Sequence, residues 1–146
     1  MTRLGATRLR PTCLRAAWRL IAVAAGLVLP GSAAPAMDLD GAWATDRAVC
    51  SNVFVKKGGS IAFRPKSELH GSGFIIEGNS IRGASARCTI KTRKEDGSTV
   101  HLLASCATDI MLSSMQFSVK VVGPDKISRV FPGMDGMELA YDRCSF

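Results

Sequence analysis

From Trp43 onward, apolar residues recur at every second position in short runs, broken by glycine, proline, asparagine and aspartate. A period of two predicts β-strands. Ile61 and Phe63 alternate within Ser60–Arg64, and Phe74-Ile75-Ile76 lies between Gly73 and the turn Glu77-Gly78-Asn79. Residues 80–94 form a longer β stretch with a break at Gly83, where a bulge is expected. Residues 98–107 and 113–122 follow, the second with Met115, Phe117, Val119 and Val121 on one face. Gly123-Pro124-Asp125 turns into 126–131, and residues 132–136 turn into 137–143, where Met137, Leu139 and Tyr141 share a face. Thr45-Asp46 predicts a brief helical turn through Cys50. No stretch beyond residue 36 keeps a helical period for three turns.

About eight short strands joined by short turns describe an all-β antiparallel meander. A meander of this size closes most economically into a barrel, or nearly so, because closure removes free strand edges. The expected inward set is Trp43, Ile61, Phe63, Phe74, Ile76, Ile81, Ile90, Leu102, Met115, Phe117, Val119, Val121, Ile127, Phe131, Met137, Leu139 and Tyr141. Such an interior has room for side chains or for one small ligand.

The first 36 residues follow a different pattern. Arg3, Arg8, Arg10, Arg15 and Arg19 precede a ten-residue apolar run, Leu20 to Leu29, then Pro30-Gly31 and Ala34-Pro35-Ala36. That order predicts a cleavable secretory signal over 1–36, leaving a single domain of 146 − 36 = 110 residues over 37–146. Five of the nineteen basic residues leave with the signal and all twelve acids stay, so the domain carries 14 − 12 = +2 rather than +7. A charge of +2 gives no ground for nucleic-acid binding. Ten apolar residues are half of the roughly 20 needed to span a bilayer, so no membrane span is expected. The expected location is the periplasm or the medium.

Export also bears on the cysteines. Cys13 lies in the signal, leaving Cys50, Cys88, Cys106 and Cys144, spaced 38, 18 and 38 residues apart. An even count in a short exported chain predicts two disulfides with three possible connectivities, and the spacing lacks the close ligand pairs of a metal site. The turn Glu95-Asp96-Gly97 joins two strand-like runs. Centred on Gly97, the hairpin sets Cys88 opposite Cys106, Ile90 opposite Ala104, Thr92 opposite Leu102 and His101 opposite Arg93. Cys50 and Cys144 then remain to tie the first segment to the last. In the chain-entropy picture these bridges contribute about 3 and about 4 kcal/mol respectively.

Catalytic groups are sparse. His70 stands in a Ser/Gly-flanked loop and His101 on a strand, neither near a nucleophile motif, and no enzyme activity is expected. Asp38-Leu39-Asp40-Gly41 begins like a calcium loop but lacks the later ligands, so its aspartates are assigned to capping and turns. Gly58-Gly59-Ser60 and Gly71-Ser72-Gly73 match no phosphate-binding fingerprint and are assigned to turns. Met111, Met115, Met134 and Met137 carry soft thioether sulfur, yet Met115 and Met137 fit core positions. Lys91, Arg93 and Lys94, with Arg87, form a basic stripe that solvates a sheet face. No cofactor and no metal are expected.

Gly41-Ala42-Trp43 opens the first strand, and this resembles the G-x-W signature of lipocalins and related small barrels. The resemblance implies a tryptophan that closes one barrel end under an arginine, a role open to Arg143 or Arg129 through a cation–π contact. Gly41-x-Trp43 followed by Cys50 also resembles small secreted bacterial barrels such as the metalloprotease-inhibitor family. The ending Tyr141-x-Arg143-Cys144 is similar to that of exported alphaproteobacterial proteins of unknown role. These features lead to a non-enzymatic exported binding module, monomeric, whose partner is a protein or a small apolar ligand. Alternatives are an inhibitor of an extracellular or periplasmic hydrolase and a small-ligand carrier; a small enzyme is disfavoured. Trp43 and Arg143 are expected to close one end, and Ile110, Met111, Leu112 and Met134 to form a binding rim at the other.

Overall fold

A computed structural model describes residues 37–134 and 136–146. The signal segment over 1–36, its Cys13 and residue Asp135 lie outside the described residues. Among the described residues no helix is long and apolar enough to cross a membrane.

Eight strands close a purely antiparallel barrel. They are β1 (Gly41–Ala44), β4 (Gly73–Glu77), β5 (Ser80–Arg82), β6 (Arg87–Asp96), β7 (Thr99–Ala107), β8 (Leu112–Gly123), β9 (Lys126–Val130) and β10 (Glu138–Arg143). From β4 to β10 each strand pairs with the next, and β1 closes the ring by pairing with both β4 and β10. Between β1 and β4 the chain leaves the barrel. A 3₁₀ turn (Arg47–Val49) leads into a single helical turn, α1 (Cys50–Val53), and then a separate hairpin of β2 (Phe54–Lys57) and β3 (Ser60–Phe63). Asp46 caps the 3₁₀ turn by accepting from the Ala48 N–H at 2.8 Å.

Alternation fills the barrel. Trp43, Ile76, Ile81, Cys88, Val100, Leu102, Ala104, Cys106, Val119, Ile127 and Tyr141 form one buried cluster, with Leu39 beneath them. A second cluster sits outside the ring, where Ala42, Ala44 and Ile75 turn away from the barrel axis and pack against Cys50, Val53, Phe54 and Cys144. Strands β1 and β4 are therefore buried on both faces, and the unbroken apolar run Phe74-Ile75-Ile76 follows from that. Gly73 marks a tight approach of the two layers. A Cβ there would stand 2.6 Å from the Trp43 carbonyl oxygen and 2.7 Å from Cζ of Phe54.

The disulfides are Cys88–Cys106, across the β6–β7 hairpin, and Cys50–Cys144, which fastens α1 to the residue after β10. Cys88 faces Cys106 and Ile90 faces Ala104 in the expected register. Beyond Ile90 the register shifts by one residue. Thr92 pairs with Leu103 rather than Leu102, and His101 faces Lys94 rather than Arg93. A bulge at Lys91 absorbs the extra residue, which the turn sequence does not report because a bulge lies inside a strand.

Three other expectations are corrected. Gly83 lies in a full reversal between β5 and β6, closed by its N–H donating to the Ala86 carbonyl at 2.8 Å, and not in a bulge. Ile61 and Phe63 belong to the side hairpin and pack on the outer cluster rather than inside the barrel. Met115, Leu139 and Met137 have side chains exposed to 38%, 40% and 53%. Met115 on β8 lines the end of a cavity that opens to solvent, Leu139 on β10 pairs with Arg129, and Met137 precedes β10.

Candidate functional site

Antiparallel connectivity assigns every connection to one of two barrel ends. The β4–β5, β6–β7 and β8–β9 turns share one end with the start of β1 and the finish of β10. The β5–β6, β7–β8 and β9–β10 connections share the other. The two ends differ in chemistry.

At the first end the chain from Met37 to Asp40 lies across the barrel. Trp43 and Arg143 are direct cross-strand partners of β1 and β10, so their side chains rise on the same face. The Arg143 guanidinium carbon stands 4.6 Å from the centroid of the fully buried Trp43 ring. Its two terminal nitrogens donate to the carbonyl oxygens of Asp40 (2.6 Å) and Asp38 (2.9 Å). The indole N–H donates to the Leu39 carbonyl at 2.9 Å. Asp38 Oδ1 accepts from the Asp40 N–H and Asp40 Oδ1 from the Gly78 N–H, so both aspartates act in turns. Arg93 donates to the Met37 carbonyl and pairs with Glu95 at 2.8 Å, while Glu95 also accepts from the Met37 N–H. Gly41 has a φ of +133° and takes a conformation that side chains rarely adopt, which explains a glycine two residues before the tryptophan.

The opposite end is open. A cavity of about 250 Å³ enters there and reaches Ile76, Ile81, Cys88, Leu102 and Val119 in the barrel core. Aromatic rings line it: Phe74 meets Tyr141 edge-on at 4.9 Å, and Phe117 lines it as well. Gly83, Ala86, Met115 and Arg129 complete the wall. A larger groove of about 530 Å³ runs outside the barrel past Phe63, Ala84, Arg87 and Asp109, but none of its lining residues is fully buried.

The expected rim residues take their places at this open end by connectivity. Ile110 and Met111 lie in the β7–β8 connection, Leu112 begins β8, and Met134 lies between β9 and β10. They are exposed to 92%, 56%, 80% and 55%, and none lines the cavity wall. The wall is carried by Phe74, Met115, Phe117 and Arg129 instead. Of the two arginines that the sequence offers for the tryptophan, Arg143 takes the position and Arg129 stands at the other end of the barrel.

His101 Nδ1 and the buried Ser118 hydroxyl are 2.9 Å apart on neighbouring strands, a cross-strand hydrogen bond. Among the described residues no three histidine, cysteine, aspartate or glutamate side chains gather as a metal-ligand set. Comparison with protein-family models, with characterised proteins and with solved structures gives no match. The closed eight-stranded antiparallel barrel is nonetheless consistent with a lipocalin-like fold.

Proposed function

We propose that this protein is an exported, monomeric, non-enzymatic binding module that holds a small, largely apolar ligand inside its barrel. One observation carries the reading: an aromatic-lined cavity runs from one barrel end into the core while the other end is covered by Leu39, Trp43 and Arg143. Concave apolar pockets with few polar groups are the usual form of small-molecule sites. An apolar cavity of about 150 Å³ accepts benzene, so about 250 Å³ suits a body of two fused rings or a short branched chain. Met115 gives the mouth an adaptable wall, since methionine repacks readily around varied shapes.

The reading is tested with a neutral two-ring probe. Calorimetric titration with 2-naphthamide should give one-to-one binding to the oxidised domain. Ala86→Trp places an indole in the mouth and should abolish that binding while leaving the unfolding midpoint within a few degrees. Absence of binding of both 2-naphthamide and its carboxylate analogue 2-naphthoate to the native protein, or full binding to Ala86→Trp, would count against an internal site.

Export is part of the same reading and rests on the order of basic segment, apolar run and Ala34-Pro35-Ala36. Two disulfides suit an oxidising compartment. Protein recovered from the periplasm or medium should begin at Met37 on N-terminal sequencing. A product that retains Arg3 would contradict export by cleavage.

A further inference from the structure

Resting on the cavity reading above, we infer that the ligand is an anion: an aromatic or similarly compact apolar body bearing one carboxylate, which Arg129 receives at the mouth. Strand β9 alternates Ile127 into the core, Ser128 towards Glu138 on the neighbouring strand, and Arg129 back to the side of Ile127. Arg129 therefore occupies an inward position in a barrel whose other inward residues are almost all apolar. Burying part of a cation in such a wall is unfavourable unless something offsets the lost hydration.

Its neighbours explain its position but leave its hydrogen-bonding capacity unused. The guanidinium carbon lies 4.9 Å from the Phe117 ring centroid and 4.8 Å from that of Phe131. Stacking engages the faces of the guanidinium and leaves its in-plane N–H groups free. Among the described residues, Arg129 makes no ion pair and no side-chain hydrogen bond. Glu138, the acid on the adjacent strand, is bound instead to Ser128 at 2.7 Å and stands 3.9 Å from Lys120. Arg143 differs: that guanidinium spends its terminal donors on two backbone carbonyls, whereas Arg129 lines the aromatic cavity with no protein acceptor among the described residues. A carboxylate matches the planar guanidinium fork with two parallel hydrogen bonds, and the ligand's apolar body then occupies the space between Phe74, Tyr141 and Leu102.

The test compares 2-naphthoate with 2-naphthamide, two molecules of the same shape that differ in charge at neutral pH. The native protein should bind the carboxylate roughly ten- to a hundredfold more tightly, the range for hydrogen bonds to a charged partner. Arg129→Met keeps an unbranched stem against the two rings, and should bring the ratio of naphthoate to naphthamide affinity down to one or below. Equal affinities in the native protein, or a naphthoate preference that survives Arg129→Met, would overturn the anion inference and leave the apolar cavity standing. Failure of both probes to bind would remove the cavity reading and the inference with it.

Discussion

Trp43→Ala is expected to lower the stability of the domain by about 3–5 kcal/mol, the cost of truncating a large core aromatic. The ring is fully buried, its N–H is satisfied by the Leu39 carbonyl, and Arg143 lies over its face. Removing it empties the sealed end, frees Leu39 and leaves Arg143 without the surface that orients it. Urea unfolding followed by far-ultraviolet circular dichroism measures the loss. Arg143→Ala is expected to cost less, about 1–2 kcal/mol, since its ion pair with Asp38 is solvent-exposed and worth little. What Arg143 adds is two charge-assisted hydrogen bonds that hold the entering chain across the barrel end. Because it stands away from the cavity, Arg143→Ala should leave naphthamide affinity unchanged. Loss of ligand binding in that variant without loss of stability would move the site to the sealed end.

Opening the Cys50–Cys144 bridge should have the other large effect. The bridge closes a separation of 94 residues and fastens the outer layer to the end of β10. In the chain-entropy picture its removal by Cys50→Ala with Cys144→Ala costs about 4 kcal/mol, a large share of the 5–15 kcal/mol typical of a domain. The Cys88–Cys106 bridge spans only 18 residues and joins strands that are already paired, so the corresponding double alanine variant should lose about 3 kcal/mol. Denaturant titration of the two double variants should rank them in that order. The reverse order would mean that the outer layer adds little to the barrel. Non-reducing peptide mapping that links Cys50 to Cys88 would contradict the pairing itself.

The barrel was legible because its signals are local. Alternation identified most of the barrel strands, though it ran β5 and β6 together across Gly83, the turn at Gly97 placed Cys88 opposite Cys106, and the remaining two cysteines followed. The side hairpin was not legible. Phe54-Val55-Lys56-Lys57 has two adjacent apolar residues and no period of two, so β2 has no pattern of its own and exists because β3 pairs with it over the outer cluster. Misplacing Ile61 and Phe63 followed from that omission. The bulge at Lys91 was invisible for a related reason, since one extra residue between two paired strands changes no composition.

At the candidate site, alternation identified which residues face inward but not how far along the barrel each one sits. Met115, Phe117 and Leu139 read as core, and depth separates them: Phe117 is half-buried, while Met115 and Leu139 are exposed near the mouth. Arg129 and Arg143 are both open to the arginine role on the chain, and alternation along the last strand favours Arg143. Register distinguishes them, because Trp43 is the direct partner of Arg143 on β10, whereas Arg129 pairs with Leu139 and Val119.

The central claim is that ligand enters through the β5–β6, β7–β8 and β9–β10 end and that the Trp43–Arg143 end stays closed. Amide and side-chain chemical-shift mapping of the isotope-labelled domain, titrated with 2-naphthamide, tests it most directly. Shifts should concentrate at Phe74, Ala86, Met115, Phe117 and Arg129, with the Trp43 indole N–H and residues 37–40 unchanged. Shifts centred on Trp43, Asp38 and Arg143, with Ala86 and Phe117 silent, would contradict the account.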